Sequence, residues 1–167
     1  MPCYFVLEKH TAMSLRQCVV AAVLSCFCAA AFSACADAAR PGVDWEGCIK
    51  EDGMNLDGVN LVGANLKGTQ LRFAKLRGSN LSNADLSGTN LIGADMSRAN
   101  LTKANLIDAV LYIANLTDAD VSQSRLNRAN LIGARLINTN FTNTNLTGAT
   151  GIDGKSSCAS VSIGVCR

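Results

Sequence analysis

The feature that most constrains this chain is an apolar residue that returns at every fifth position from Leu56 to Leu146. The series holds 19 positions without a gap, and 16 of them are Leu. Two places before these centres stand 11 Ala, 4 Thr and 2 Ser, and the place directly before them holds 11 Asn and 3 Asp. The repeating unit is therefore A-[N/D]-L-x-x, as in Ala64-Asn65-Leu66.

A period of five suits neither an α-helix nor a β-strand. In a helix each Leu would lie about 140° further round the axis than the one before it. In a strand, consecutive Leu residues would point to opposite sides of the chain. A strict period of this kind needs a chain that turns regularly and stacks on itself. Since residues i and i−2 share a side in extended chain, the Leu and the small residue are both expected to face inward.

In these features residues 54–150 resemble the pentapeptide repeat family. The resemblance implies an all-β fold, a right-handed quadrilateral β-helix in which four pentapeptides form one square coil. The 19 copies would make about five coils, stacked at the strand spacing of about 4.8 Å. Such a pentapeptide repeat solenoid is stabilised by contacts between neighbouring coils, so no single repeat is stable alone.

The chain is expected to contain four segments. They are a helical signal peptide, an N-terminal cap or irregular first coil, the β-helix and a C-terminal tail, at residues 1–38, 39–53, 54–150 and 151–167. In the cap, Trp45 occupies a central position of the repeat and is expected to close the N-terminal end of the hydrophobic column, since an open end exposes strand edges. The alternative is a loosely packed segment with Trp45 on the surface.

The leader has the parts of a secretory signal. An apolar run from Cys18 to Phe32 is followed by Ala36-Asp37-Ala38, an A-x-A site that predicts cleavage after Ala38. Ala34-Cys35-Ala36 is an overlapping option, and a retained membrane anchor is the alternative, although the run is shorter than the about 20 residues that a spanning helix needs. Translation starts at Met1 or at Met13, which begins a more ordinary signal peptide.

The compartment follows from this leader. We expect a periplasmic or secreted protein, with the thylakoid lumen or a lipid anchor in the envelope as alternatives. The lipid anchor is considered because Phe32-Ser33-Ala34-Cys35 resembles a bacterial lipoprotein box, which makes Cys35 a candidate for lipidation. Contact with a membrane is expected only if Cys35 is lipidated or the leader is retained.

Three cysteines remain after the predicted cleavage, at positions 48, 158 and 166. Disulfide partners need Cα atoms within about 7 Å, and the stacked coils would hold Cys48 roughly 20 Å from the tail. We therefore expect a Cys158–Cys166 disulfide and a buried free thiol at Cys48. A tail that folds back to pair with Cys48 is the alternative.

One side of the predicted solenoid is apolar. In columns spaced by one coil, Arg72, Ile92, Tyr112 and Ile132 follow one another, with Phe73, Val110 and Ile113 beside them. Apolar side chains in register over several coils predict a contact surface for a homodimer mate or another protein. The alternative is that Ile and Tyr stand there because they suit extended backbone.

The remaining composition argues against catalysis and nucleic-acid binding. The only His, His10, lies in the leader, so the mature chain lacks the imidazole of Ser-His-Asp triads and of His-ligated metal sites. We expect no enzyme activity, no cofactor and no metal. The function expected is a structural or protein-interaction module. The alternative, a cytoplasmic DNA mimic that protects gyrase, would need a strongly acidic surface, whereas residues 54–150 hold 9 Lys/Arg against 6 Asp.

Overall fold

The computed structural model describes residues 35–154, and from residue 41 onward they form a continuous series of five-residue units with one extra residue in the first coil. Each unit consists of a tight turn and one residue that forms an isolated parallel bridge. The first turn is at residues 41–42 and the last at residues 152–153. Within this described part, helical backbone is confined to residues 35–36 and no strand is longer than one bridge residue. The predicted helical leader and the predicted Cys158–Cys166 disulfide lie outside it.

The bridges show that the chain returns over itself every four units. Asn60 pairs with Asn80, Asn80 pairs with Asn100, and every bridge from Asn55–Lys75 onward joins residues that are 20 positions apart. The two bridges that precede these, Asp44–Asn65 and Ile49–Gln70, join residues 21 apart. One extra residue in the first coil, between Ile49 and Asn55, accounts for this difference. The described residues therefore form a solenoid of stacked coils with four bridges in each.

The interior is filled by the central residue of each unit and by the small residue two places before it. Every central residue from Leu56 to Leu131 is at most 2% exposed. Where the small residue is Thr or Ser, its hydroxyl donates to a backbone carbonyl, as Thr89 Oγ1 does to the Leu66 oxygen at 2.7 Å. Among the described residues no buried side-chain oxygen or nitrogen lacks a partner. The interior of the solenoid is thus mostly apolar, and the polar side-chain atoms buried in it are hydrogen-bonded.

Backbone hydrogen bonds join each unit to the coils on both sides. In the unit centred on Leu86, the Leu86 N–H donates to the Asn105 oxygen at 2.7 Å and the Gly88 N–H to the Ile107 oxygen at 2.8 Å. The Thr89 N–H closes the turn on the Leu86 oxygen at 3.1 Å. This pattern repeats along the chain, so the backbone polar groups of inner coils are satisfied without long strands.

The N-terminal end is closed by residues 35–50. Trp45 is fully buried, and its indole Nε1 donates to the Asp37 oxygen at 3.1 Å. Cys35 and Cys48 form a disulfide with their Cα atoms 5.5 Å apart. This pairing corrects the expectation of a free thiol at Cys48, because residues 35–40 fold against the first coil and bring the Cys35 sulfur to it. It also leaves no thiol on Cys35 for lipidation.

The C-terminal end of the described solenoid is less well covered. The last bridge is Asn130–Thr150, and the central residues Leu136 and Phe141 are only partly buried. Ile137 beside them is 56% exposed. Helices long and apolar enough to span a membrane are absent from residues 35–154.

Candidate functional site

The residues predicted as a contact surface lie along one series of stacked turns. Tyr112 and Ile113 are the two middle residues of one turn, and Ile92 and Ile132 take the first of these positions in the coils on either side. Phe73 takes the second position two coils before Ile113. Ile152 continues the column beyond Ile132. We call these six residues the apolar stripe: Phe73, Ile92, Tyr112, Ile113, Ile132 and Ile152.

The stripe is open to solvent. Phe73, Tyr112, Ile113 and Ile152 are between 42% and 54% exposed. Ile92 and Ile132 are half-buried, as is Val110, which forms bridges with Asn90 and Asn130 beside the stripe. Single exposed apolar residues are ordinary, but six that follow one another over five coils form a contiguous patch of the kind that marks binding surfaces.

Two residues of the stripe have backbone angles that their side chains disfavour. The second middle residue of every turn from Gly42 to Gly148 adopts positive φ, and Phe73 and Ile113 do so at 55° and 53°. Most of the other residues with positive φ are Gly, Asn or Asp, which tolerate this region. A β-branched residue such as Ile113 is an outlier there, and strain of this kind costs roughly 1–3 kcal/mol. It persists only where other interactions compensate for it.

Glycines one coil further on make room for these two side chains. A Cβ on Gly93 would lie 2.5 Å from Phe73 Cδ1, and a Cβ on Gly133 would lie 3.0 Å from Ile113 Cγ2. The Phe73 ring and the Ile113 side chain therefore lie flat along the stripe, each over the glycine of the next coil. This arrangement makes the stripe smooth and continuous.

Charged residues around the solenoid are paired between coils. Arg77 Nη2 lies 2.7 Å from Asp57 Oδ2, one coil away. Arg128 forms the same kind of pair with Asp108, which is also one coil away. Hydrogen bonds from these guanidinium groups hold the pKa of Asp57 and that of Asp108 below their usual values. These two ion pairs join opposite charges on neighbouring coils.

At the N-terminal end of the stripe a positive charge remains close to the apolar residues. The Arg72 guanidinium lies 5.6 Å from the centre of the Phe73 ring, and its Nε is 3.9 Å from Asp52 Oδ2. Arg72 is therefore within ion-pair distance of a carboxylate of its own chain.

The described residues give little support for a metal site or for a catalytic pair of carboxylates. No group of three or more His, Cys, Asp or Glu could hold a metal ion between residues 35 and 154. The acidic residues of the repeats are dispersed around the coils and pair with basic or amide groups, as Asp95 does with Asn115 at 3.0 Å.

Three exposed apolar residues, Ile49, Ile137 and Ile152, were not predicted from the sequence. Ile152 follows Gly151, which breaks the Leu series, yet the spacing of 20 from Ile132 to Ile152 would have placed it in the same column. Ile49 is 83% exposed and pairs with Gln70. Because the first coil holds one extra residue, Ile49 and Gln70 are 21 positions apart, and columns built with a spacing of 20 do not include Ile49.

Comparison with known families gives one match. The family described as pentapeptide repeats (8 copies) matches residues 52–83, 79–112 and 114–150, which together make up more than half of the chain. The match is to a repeat family and indicates no enzyme class. A search of curated protein sequences finds no match.

Several solved structures are similar to this chain. A pentapeptide repeat protein from the thylakoid lumen of Arabidopsis thaliana is 26% identical over 65% of this chain and 72% of its own, with a TM-score of 0.48. A pentapeptide repeat protein from Nostoc PCC 7120 is 30% identical over 70% and 76% of the chains, with a TM-score of 0.36. QnrB1, a plasmid-mediated fluoroquinolone resistance protein, is 18% identical over 64% of each chain, with a TM-score of 0.28. Because all three TM-scores are below 0.5, these similarities do not indicate a function for this chain.

Proposed function

Because this chain belongs to the pentapeptide repeat family, we propose that it is an exported, non-catalytic protein of that family which acts by protein contact through the apolar stripe. Its coil is a right-handed quadrilateral β-helix in this proposal. Four bridges in every 20 residues support the four-sided cross-section. The absence of a metal cluster and the dispersed carboxylates of the described part are compatible with a protein that binds rather than catalyses.

The observation that carries the proposal is the strained, exposed Ile113. It combines a φ of 53° with 48% exposure of its side chain. The repeat imposes a positive φ at this position of the regular turns, so the unusual feature of Ile113 is a β-branched apolar side chain that is left exposed there. A partner that covers Ile113 and the neighbouring Tyr112 would bury this side chain.

The partner that fits this surface is a second copy of the chain. A two-fold axis perpendicular to the stripe at the level of Tyr112 exchanges Ile92 with Ile132, so that apolar residues meet apolar residues. The stripe therefore has the self-complementary pattern that a symmetric dimer requires.

Export is supported by two independent observations. The leader combines an apolar run with small residues after it, as secretory signals do. The Cys35–Cys48 disulfide is a bond that persists in oxidising compartments and is rare in the cytosol. Within this proposal the protein works in the periplasm or outside the cell.

Sedimentation of the purified mature protein tests the contact surface. We expect the wild type to be a dimer and the triple variant Ile92→Thr/Tyr112→Thr/Ile132→Thr to be a monomer that is still folded by circular dichroism. The matched control, Val62→Thr/Ile107→Thr, changes half-buried residues at the same position of turns outside the stripe and should remain a dimer. A monomeric wild type at all concentrations, or a dimeric triple variant, would refute the proposal.

A further inference from the structure

The disulfide at the N-terminal end joins the first coil to a part of the chain that a conventional reading of the leader would remove. Cys48 is 2% exposed and lies at an inward-facing position, and its sulfur is bonded to that of Cys35. Cleavage after Ala38 or after Ala36 would take Cys35 away. Cys48 would then be left without its partner in the core.

Other contacts tie the same segment to the coil. The Trp45 indole donates to the Asp37 oxygen. The Lys50 Nζ donates to the Cys35 oxygen and lies 3.6 Å from the centre of the Trp45 ring. Cys35 and Ala39 also pack against the hydrophobic core. Residues 35–39 are thus part of the folded end of the solenoid, and their removal would leave the indole N–H of a fully buried Trp45 without this acceptor.

We propose that the leader is cleaved between Ser33 and Ala34, so that the mature protein begins at Ala34 and keeps Cys35 in its disulfide. Ala31-Phe32-Ser33 puts small residues at the first and third positions before this bond, as signal cleavage requires. The compact unit that contains the described residues also begins at Ala34. This inference rests on the export that we propose above.

The two covalent steps are balanced by reactants of the exported compartment. Water adds across the Ser33–Ala34 peptide bond, so that Ser33 ends in a carboxylate and Ala34 in an amine. The thiols of Cys35 and Cys48 lose two protons and two electrons to an exported thiol–disulfide oxidant, which is reduced to its dithiol. A Cys35 sulfur in this bond is no longer free to form the thioether of a lipoprotein.

The experiment expresses the full chain in a bacterial host and determines the N-terminus and the disulfides of the exported protein. Digestion before aspartates cuts at Asp37 and Asp44, which separate Cys35 from Cys48 in the sequence. The peptides that carry Cys35 and Cys48 should therefore appear joined before reduction and apart after it. The N-terminal residue should be Ala34.

Two variants act as a matched pair. Ser33→Trp places a bulky side chain directly before the proposed bond and should abolish the product that starts at Ala34. Ala38→Trp blocks the alternative site in the same way, at an exposed residue, and should leave that product unchanged.

The outcomes separate this inference from the proposed export. An exported protein that starts at Asp37 or Ala39, that carries lipid on Cys35, or that leaves Cys48 reduced would overturn the inference and leave export intact. A full-length, uncleaved protein in the cytoplasm would overturn both.

Discussion

The asparagine before each central residue closes the turn that follows it. Asn100 Oδ1 accepts the N–H of Thr102 at 3.0 Å, and the same bond recurs at other units, as from Asn130 to Ile132 at 3.1 Å. This N–H is the first in the turn and points away from the neighbouring coils. The preference for Asn and Asp in the sequence therefore reflects a local backbone requirement.

Replacing one of these asparagines should cost measurable stability. Asn100→Ala removes the acceptor of the Thr102 N–H and should lower the free energy of unfolding by about 1 kcal/mol, the usual net value of such a hydrogen bond. Arg125 occupies the same position of the repeat and is exposed, so Arg125→Ala should change stability by less than about 0.5 kcal/mol. Urea denaturation measures both. Equal losses would mean that the Asn side chain does not close the turn.

The contact between Phe73 and Gly93 can be isolated by a pair of glycine substitutions. Gly93→Ala and Gly88→Ala both introduce a side chain at positive φ, at 64° and 63°, and each should cost on the order of 1 kcal/mol. Only Gly93→Ala also forces the Phe73 ring to move, because nothing lies within 4 Å of a Cβ on Gly88. The Gly93 variant should therefore unfold at a lower urea concentration and dimerise more weakly. Identical behaviour would show that the ring has free space elsewhere.

The pairing of one coil with the next explains which elements of the solenoid are strongest. Leu116 and Asp118 donate their N–H groups to the oxygens of Arg135 and Ile137 at 2.8 Å. In the last described coil the central residue Leu136 is only partly buried, whereas Leu116 is 1% exposed. The last described coil thus buries its central residue less completely than the coil before it.

Hydrogen exchange should detect this difference. The amides of Leu136 and Asn138 should exchange about tenfold faster than those of Leu116 and Asp118, because a coil with a less deeply buried central residue opens locally at lower cost. Amide-resolved NMR exchange at constant pH measures all four. Equal protection of the two coils would show that this difference in burial does not affect local stability.

Ion pairs between coils give the solenoid an acid-sensitive component. The hydrogen bond from Arg128 lowers the pKa of Asp108 from its usual 3.8, so the pair stabilises the folded state fully above that value. The stabilisation is lost as the pH falls through the lower pKa of the folded state. Asp108→Asn should therefore melt below the wild type at about pH 5, and the difference should shrink as the pH falls below 3.8, the usual pKa of the group. A difference in melting temperature that is unchanged at low pH and in high salt would rule out this ion pair as its cause.

At the scale of elements, the sequence indicated the repeat, its inward residues and most of the stripe. A spacing of five fixes which side chains face inward, since Leu and Ala alternate with polar residues in every unit. The sequence did not predict the Cys35–Cys48 disulfide, because the A-x-A site at Ala36-Asp37-Ala38 suggested that Cys35 is removed. Periodicity says nothing about a segment that precedes the first repeat, and the position of that segment depends on tertiary contacts to Trp45 and Lys50.

For the molecule as a whole, the disulfide should contribute a large share of stability at the N-terminal end. Cys35 and Cys48 are 13 positions apart, and closing a loop of this size limits the unfolded chain by about 3 kcal/mol in the chain-entropy account. Cys35→Ser/Cys48→Ser should lower the free energy of unfolding by about that amount, and reductant should have little further effect on it. Cys158→Ser/Cys166→Ser controls for the cysteines of the tail. A double variant at Cys35 and Cys48 as stable as the wild type would contradict a structural role for the bond.

The repeat of 20 residues from one bridge to the next has a consequence for how the protein is made. Each residue of the regular coils finds its partner on the coil that was synthesised just before it, and the two cysteines of the first coil are closer still in sequence. A nascent chain that leaves a translocation channel can therefore add one coil at a time to a template that is already folded. Such short sequence separations are unusual for β structure and favour rapid folding. Assembly can then begin at the N-terminus before the last repeat has been translated.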